Sequence, residues 1–219
     1  MEIIPAIIPQ SFEDLKAKLF LFKGLVPAVQ IDVTDGIFVP SKSWPFNDDA
    51  WSCGVHMEPS FMDEINFEFD LMVSNPEGCL QDLIDIGAKR IIVHVESSKK
   101  LEEIIESLKN KVEVGIAFNI ETPFELYDHL LEKVDFVQLM GIEKIGFQGQ
   151  EFSEKVIDKI KELKKRKSEI IISVDGGVDL KNAPALIEAG ATRLVSGSAI
   201  LKSDNIKKTI EQFKELLGS

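Results

Sequence analysis

Eight apolar runs of strand length are spaced along the whole chain, and that count constrains the fold more than any other feature. The runs cover residues 3–8, 28–33, 65–72, 90–95, 112–118, 134–140, 169–174 and 192–196. They are too continuous for strands with one wet face, and runs of this kind belong to parallel strands covered on both sides. Between most of them the apolar residues recur with helical period. Phe12, Leu15, Leu19 and Phe22 form one stripe, and Leu101, Ile104, Ile105 and Leu108 another. Val156, Ile157, Ile160 and Leu163, then Ile206, Ile210, Phe213 and Leu217, form two more. A strand and helix repeated eight times predicts an α/β fold, a closed (β/α)8 TIM barrel, in preference to an open sheet.

Local chemistry agrees with those boundaries. Ser11 with Asp14, and Thr122-Pro123 with Glu125, offer side-chain oxygens to the free amides of a first helical turn, which places His129 on the surface of a helix after Pro123. Gly87, Gly190 and Gly218 stand where helices stop. The stretch Ile84-Asp85-Ile86-Gly87-Ala88-Lys89-Arg90-Ile91 echoes Ile187-Glu188-Ala189-Gly190-Ala191-Thr192-Arg193-Leu194, each a helix end, a glycine turn and a strand start. At 219 residues the chain reads as one barrel domain, 1–219. An atypical loop is expected at 41–63, where Trp44, Trp51, Cys53 and His56 occur with little periodicity; it reads as a long loop over the active face.

The formal net charge is −12, which repels phosphodiester backbones and anionic lipid and argues against nucleic-acid and membrane partners. The first residues, Met1-Glu2-Ile3-Ile4-Pro5, lack the positive start of a signal peptide, and no run approaches membrane-spanning length, so a cytoplasmic location is expected. The two cysteines, Cys53 and Cys79, have no metal-ligand spacing and read as free thiols. Self-association into a homo-oligomer is left open. A phosphorylated ligand, if bound, must be held locally against the global field.

Asp32, Asp70, His94, Asn119 and Asp175 all fall at or near the ends of their strand runs, and a barrel brings such positions to one mouth. Alone, each acid reads as a loop cap. Asp32 and Asp175 end runs otherwise made of Val and Ile, which weakens that reading for the pair. Gln30 lies two residues before Asp32 and so points to the same side of the strand. His94 reads as a hydrogen-bonded core histidine, whereas His56, with nearby Glu58, lies in the unusual loop. Three glycine turns follow the last three strands: Gly146-Phe147-Gln148-Gly149-Gln150, Gly176-Gly177 and Gly197-Ser198. Backbone amides exposed at such turns hold phosphate without a cation.

Taken together these residues resemble the ribulose-phosphate 3-epimerase family. The resemblance rests on Ile31-Asp32-Val33-Thr34-Asp35-Gly36 with Phe38-Val39-Pro40, and on Asp70-Leu71-Met72-Val73 with Asn75-Pro76. It continues through Val93-His94-Val95-Glu96, Gly146-Phe147 with Gly149-Gln150, Val174-Asp175-Gly176-Gly177-Val178, and Gly197-Ser198-Ala199-Ile200. It implies a ribulose-phosphate-binding barrel and a metal-assisted isomerase that inverts carbon 3 of a pentulose 5-phosphate. Asp32 and Asp175 would be its catalytic acids, and Gly146, Gly177, Gly197 and Ser198 would hold phosphate.

The departures from the pattern are specific. The family's metal ligands are His, Asp, His and Asp, and Gln30, Asp32, Asp70 and Asp175 stand at those places. Ala6 replaces an active-site serine, Thr34 a methionine, and Gln148 a loop glycine. An all-oxygen set favours Mg²⁺ or Mn²⁺ over Zn²⁺ or Fe²⁺, if a metal is kept at all. Epimerisation needs a base, an acid and a stabiliser for the enediolate; two aspartates supply the first two, and Gln30, Thr34 or a backbone amide is placed to assist the third. The rival reading is a phosphosugar-binding barrel that has lost catalysis. Related barrels that decarboxylate orotidylate or join formaldehyde to a sugar phosphate carry an Asp-x-Lys-x-x-Asp run, whereas Asp32-Val33-Thr34-Asp35 contains no lysine.

Overall fold

Each of the eight runs becomes one strand. In a computed structural model that describes residues 1–47 and 65–218, the strands are β1 (Glu2–Ile7), β2 (Ala28–Thr34), β3 (Asn66–Met72), β4 (Arg90–His94), β5 (Glu113–Phe118), β6 (Phe136–Met140), β7 (Ile171–Asp175) and β8 (Arg193–Ser196). All neighbours pair in parallel in chain order, and β1 pairs with β8 to close the barrel. The helices are α1 (Phe12–Phe22), α2 (Leu80–Asp85), α3 (Leu101–Leu108), α4 (Lys155–Arg166), α5 (Ala183–Ala189), α6 (Ser198–Leu201) and α7 (Ile206–Leu217).

The strand runs are continuous because both faces are buried. Outward residues such as Ile31, Phe69, Leu71, Ile91, Ile116, Leu139, Val174 and Leu194 pack with Leu15, Ile104, Ile160, Leu186 and Phe213 from the helices in one core. Inward residues form small apolar sets, Ile4 with Ala6 and Val195, and Ile92 with Ala117 and Phe136. The rest of the interior is polar: Gln30, Asp32, Thr34, Asp70, His94, Gln138, Ser173 and Asp175 are all buried. The expected start of α1 is present, with Ser11 Oγ accepting from the Asp14 amide and Asp14 accepting from the Gln10 amide.

The end of the barrel where the strands begin is closed by charge. Arg90 on β4 lies 3.0 Å from Glu2, 3.3 Å from Glu68 and 2.9 Å from Glu113, and Arg193 meets Glu113 at 2.6 Å with its guanidinium over the Phe136 ring. Burial pushes the Glu68 carboxyl up to about 7 even though Arg90 and Arg193 oppose the shift. With that end filled, open chemistry is confined to the opposite mouth.

The β5–β6 connection differs from expectation. In place of a helix after Pro123 there are two short 3-10 turns, Phe124–Leu126 and Asp128–Leu130. Thr122 gives no cap; its hydroxyl donates to Glu96. The Asn119 and Thr122 carbonyls are taken by the Lys159 ammonium from α4, and the Phe118 ring packs edge-on against Phe124 and Tyr127. Those tertiary contacts fix the turn before a helix can propagate. His129 is exposed as expected and lies 3.2 Å from Glu102.

Of the 41–63 loop, residues 41–47 fold back over the end of β2. The Ser43 amide donates to the Thr34 carbonyl, and buried Trp44 stacks near Phe12. Trp51, Cys53, His56 and Glu58 lie outside the described residues. Cys79 is a buried free thiol, and burial pushes it up to about 12. No helix among the described residues is long and apolar enough to cross a membrane.

Candidate active site

Register sets the depth of the acids. Asp32 is paired with Asp70 on the same rung of β2 and β3, two residues inside the strand ends, so these carboxylates sit within the barrel mouth, below its rim. Asp175 is the last residue of β7. One oxygen from each of Asp32, Asp70 and Asp175 lies within 4.8 Å of the others. All three are buried, and Asp70 is fully so.

A single carboxamide ties two of them together. Gln30 Nε2 donates to Asp32 Oδ1 at 2.8 Å and to Asp175 Oδ2 at 2.9 Å. Burial, then the charge of neighbouring carboxylates, pushes both Asp32 and Asp175 well above the usual carboxylate range against the pull of that hydrogen bond. Asp35, three residues on, is the opposite case. Burial resists its charge, but its carboxylate accepts from the Ile37, Phe38 and Ser74 amides and the Ser74 hydroxyl, so it is held below the usual range. Asp35 ties two loops together; Asp32 is left with a shifted proton affinity.

Asp70 is engaged from its other side. Gln138 Nε2 donates to Asp70 Oδ2 at 3.1 Å, and the Ser173 hydroxyl donates to Gln138. His94 Nε2 lies 3.1 Å from Asp70, and its Nδ1 lies 3.7 Å from Glu96. Burial disfavours the imidazolium, yet the carboxylates of Asp70 and Glu96 outweigh it and raise His94 to about 10. His94 is buried in the core as expected, but neither ring nitrogen makes the hydrogen bond expected of it; the two carboxylates hold it by charge, and one of them belongs to the acid cluster. Gln138, Ser173 and Glu96 had been given no role. A polar residue inside a buried run, such as Gln138 between Val137 and Leu139, was the signal available in the sequence.

The glycine turns join this cluster at one cleft. Gly146, Gly177, Gly197 and Ser198 line it together with Asp32 and Asp175, beneath Met72, Met140 and Ile142. Gly177 has φ +69°, and a Cβ there would lie 2.9 Å from the Phe152 Cα, so both conformation and contact demand glycine. Ser41 Oγ donates to the Gly146 carbonyl at 2.6 Å, which packs the loop after β2 onto the loop after β6. Met72, Met140, Ile142, Val39 and Phe38 form an apolar roof there, and such a roof strengthens the desolvation of the acids beneath it. Asn119 is placed elsewhere, its amide donating to Glu96 beside β4.

Three acid oxygens at this separation fit a hard divalent cation. The Gln30 Oε1 atom supports that fit, because it is buried without a hydrogen-bond partner, and half a turn of the carboxamide exchanges it with Nε2.

Comparison with known proteins places the chain by sequence and by shape. Residues 2–201 match the model of the ribulose-phosphate 3 epimerase family. The chain is 32% identical over 227 aligned positions to the ribulose-phosphate 3-epimerase of Bacillus subtilis, covering 98% of both proteins. It is 31% identical to that of Schizosaccharomyces pombe, covering 95% of this chain and 90% of the relative. In shape it matches 3-hexulose-6-phosphate synthase from Salmonella typhimurium with a TM-score of 0.71 at 16% identity, covering 99% and 98% of the two chains. A Streptococcus mutans protein, KGPDC in complex with D-R5P, matches with a TM-score of 0.68 at 14% identity, covering 99% and 96%. Those two likenesses show the shared barrel alone. The family match and the sequence relatives give the narrower assignment: the chain belongs to the ribulose-phosphate 3-epimerase family.

Proposed function

We propose that the protein inverts carbon 3 of a pentulose 5-phosphate by proton transfer between Asp32 and Asp175. The observation that carries this reading is the Gln30 bridge, which holds one oxygen of each acid at 2.8 and 2.9 Å from the same nitrogen. A 1,1-proton exchange needs one carboxyl protonated and one ionised near neutral pH. Two buried carboxyls, both raised by burial and then by the charge of a neighbouring carboxylate, Asp175 on Asp32 and Asp70 on Asp175, provide that state. One takes the proton beside the substrate carbonyl, and the other returns a proton to the opposite face. The apolar roof of Met72 and Met140 keeps bulk water from quenching the enediolate.

The phosphate would be held by the amides of Gly146, Gly177, Gly197 and Ser198, which offer donors without adding a cation to an acidic chain. Sulfate or phosphate soaked into crystals is expected at these turns. An ordered anion elsewhere, with these turns empty at saturating phosphate, would overturn the assignment.

A divalent cation would be held by Asp32, Asp70, Asp175 and, after rotation of its amide, Gln30 Oε1. When bound it supplies positive charge where the substrate oxygen becomes negative. The absence of imidazole and thiolate among these residues favours Mg²⁺ or Mn²⁺. The decisive experiment is exchange of solvent deuterium into ribulose 5-phosphate with each of Mg²⁺, Mn²⁺, Zn²⁺ and Fe²⁺ supplied. Binding without exchange under all four conditions would reject epimerisation of this substrate, and the same failure with other ketose phosphates would leave a phosphosugar-binding protein.

A further inference from the structure

Gln148 sends its side chain across the cleft. From the loop after β6 it reaches the end of β1, where Nε2 donates to the Ala6 carbonyl at 2.9 Å. On the way the carboxamide lies against Gly197, since a Cβ at that glycine would come within 2.6 Å of Gln148 Nε2 and 3.1 Å of the Ala6 carbonyl oxygen. Gly197 has φ −94° and ψ −85°, outside the left-handed region, and a side chain there would meet the carboxamide first. What glycine supplies there is space, and the Gln148 carboxamide uses it.

The position of that carboxamide relative to the rest of the site gives it a consequence. Ala6 is registered with Gln30, two residues before Asp32 on β2, and Gly197 opens the turn that continues into Ser198. Gln148 thus lines the cleft that also holds the proposed anion-binding turns and the acids Asp32 and Asp175, and its carboxamide takes up part of the space a sugar chain would occupy. Its anchorage to a main-chain carbonyl fixes it as a wall, whereas an unanchored glutamine would swing aside at little cost.

We infer that Gln148 is a specificity-determining residue that limits the length of the ketose phosphate the cleft accepts. This rests on the reading of the site as a ketose-phosphate site, and it adds a residue and a selection rule to that reading. A chain longer by one carbon must displace the carboxamide from Ala6, breaking a hydrogen bond and crowding Gly197. Exclusion of one extra carbon by a fitted pocket is worth about 10–200-fold.

The test compares five-carbon and six-carbon ketose 5- and 6-phosphates on the wild type and on Gln148→Gly. The ratio of their kcat/KM values is expected to move at least about tenfold toward the six-carbon substrate. A general fault in folding would lower both substrates together and leave the ratio where it was. An unmoved ratio in Gln148→Gly, with wild-type turnover intact, overturns the inference. If the wild type turns over neither sugar, the proposed epimerase fails by itself, and the wall is then judged by calorimetric affinities for the same two ligands. The same tenfold change in their ratio supports it, and an equal loss or no change rejects it.

Discussion

Asp175→Asn is expected to lower kcat at least about a hundredfold while leaving the affinity for inorganic phosphate nearly unchanged. The substitution is almost isosteric, and the asparagine oxygen can still accept from Gln30 Nε2, so the bridge to Asp32 and the fold around it persist. What disappears is a carboxylate able to take a proton. Because the turns proposed to hold phosphate would do so through backbone amides, their donors are kept when that carboxylate is replaced. Solvent deuterium exchange into the substrate is expected to fall in step with turnover, which separates a lost proton transfer from a slowed product release. Asp32→Asn is expected to behave alike, since in the proposed mechanism each acid would serve as base in one direction and acid in the other. A kcat within about tenfold of wild type in either variant would remove that acid from the proposed mechanism.

How much of this was legible in the sequence follows from what each feature depends on. The barrel was readable because β2, β3 and β7 are buried on both faces, so Val29, Ile31, Phe69 and Val174 make unbroken apolar runs regardless of tertiary detail. The acid cluster was readable in outline, since topology alone sends strand ends to one mouth. Its depth was not: the Asp32–Asp70 rung depends on register, which a single sequence does not state. The turns after Pro123 were misread because the contacts that shape them, Lys159 on the Asn119 and Thr122 carbonyls some 40 positions away and Phe118 against Phe124 and Tyr127, belong to the folded chain. Gln148 was visible only as a departure from a glycine pattern; its bond to Ala6, across 142 positions, belongs to the folded chain alone. The charged floor of Glu2, Glu68, Arg90, Glu113 and Arg193 went unread for the same reason.

The buried groups also determine how stability should respond to pH and to a cation. Asp32, Asp175 and Glu68 have folded-state values raised above their ordinary ones, so between about pH 4 and the raised values the folded chain holds protons that the unfolded chain has released. Stability from these groups is lost as pH rises through that window. His94, raised from 6.5 to about 10, acts in the same sense: its contribution is complete below 6.5 and declines as pH rises through 10. Surface carboxylates with ordinary values titrate near 4 in both states and add little above pH 5. The metal-free protein should therefore melt at a lower temperature at pH 8 than at pH 5. A divalent cation seated among Asp32, Asp70 and Asp175 replaces the protons and should reverse the loss. At about 100 times its dissociation constant it adds about 2.7 kcal/mol, and at about 2–4 °C per kcal/mol for a chain of this size the midpoint should rise by roughly 5–10 °C at pH 8. At pH 5 the same concentration should do far less, because protons compete for the same oxygens. Asp70→Asn, which keeps the shape and removes one ligand charge, should abolish most of the rise. A melting temperature that climbs from pH 5 to pH 8 without metal would contradict the raised acids. Mg²⁺ and Mn²⁺ both failing to shift it at pH 8 would remove the cation from the site.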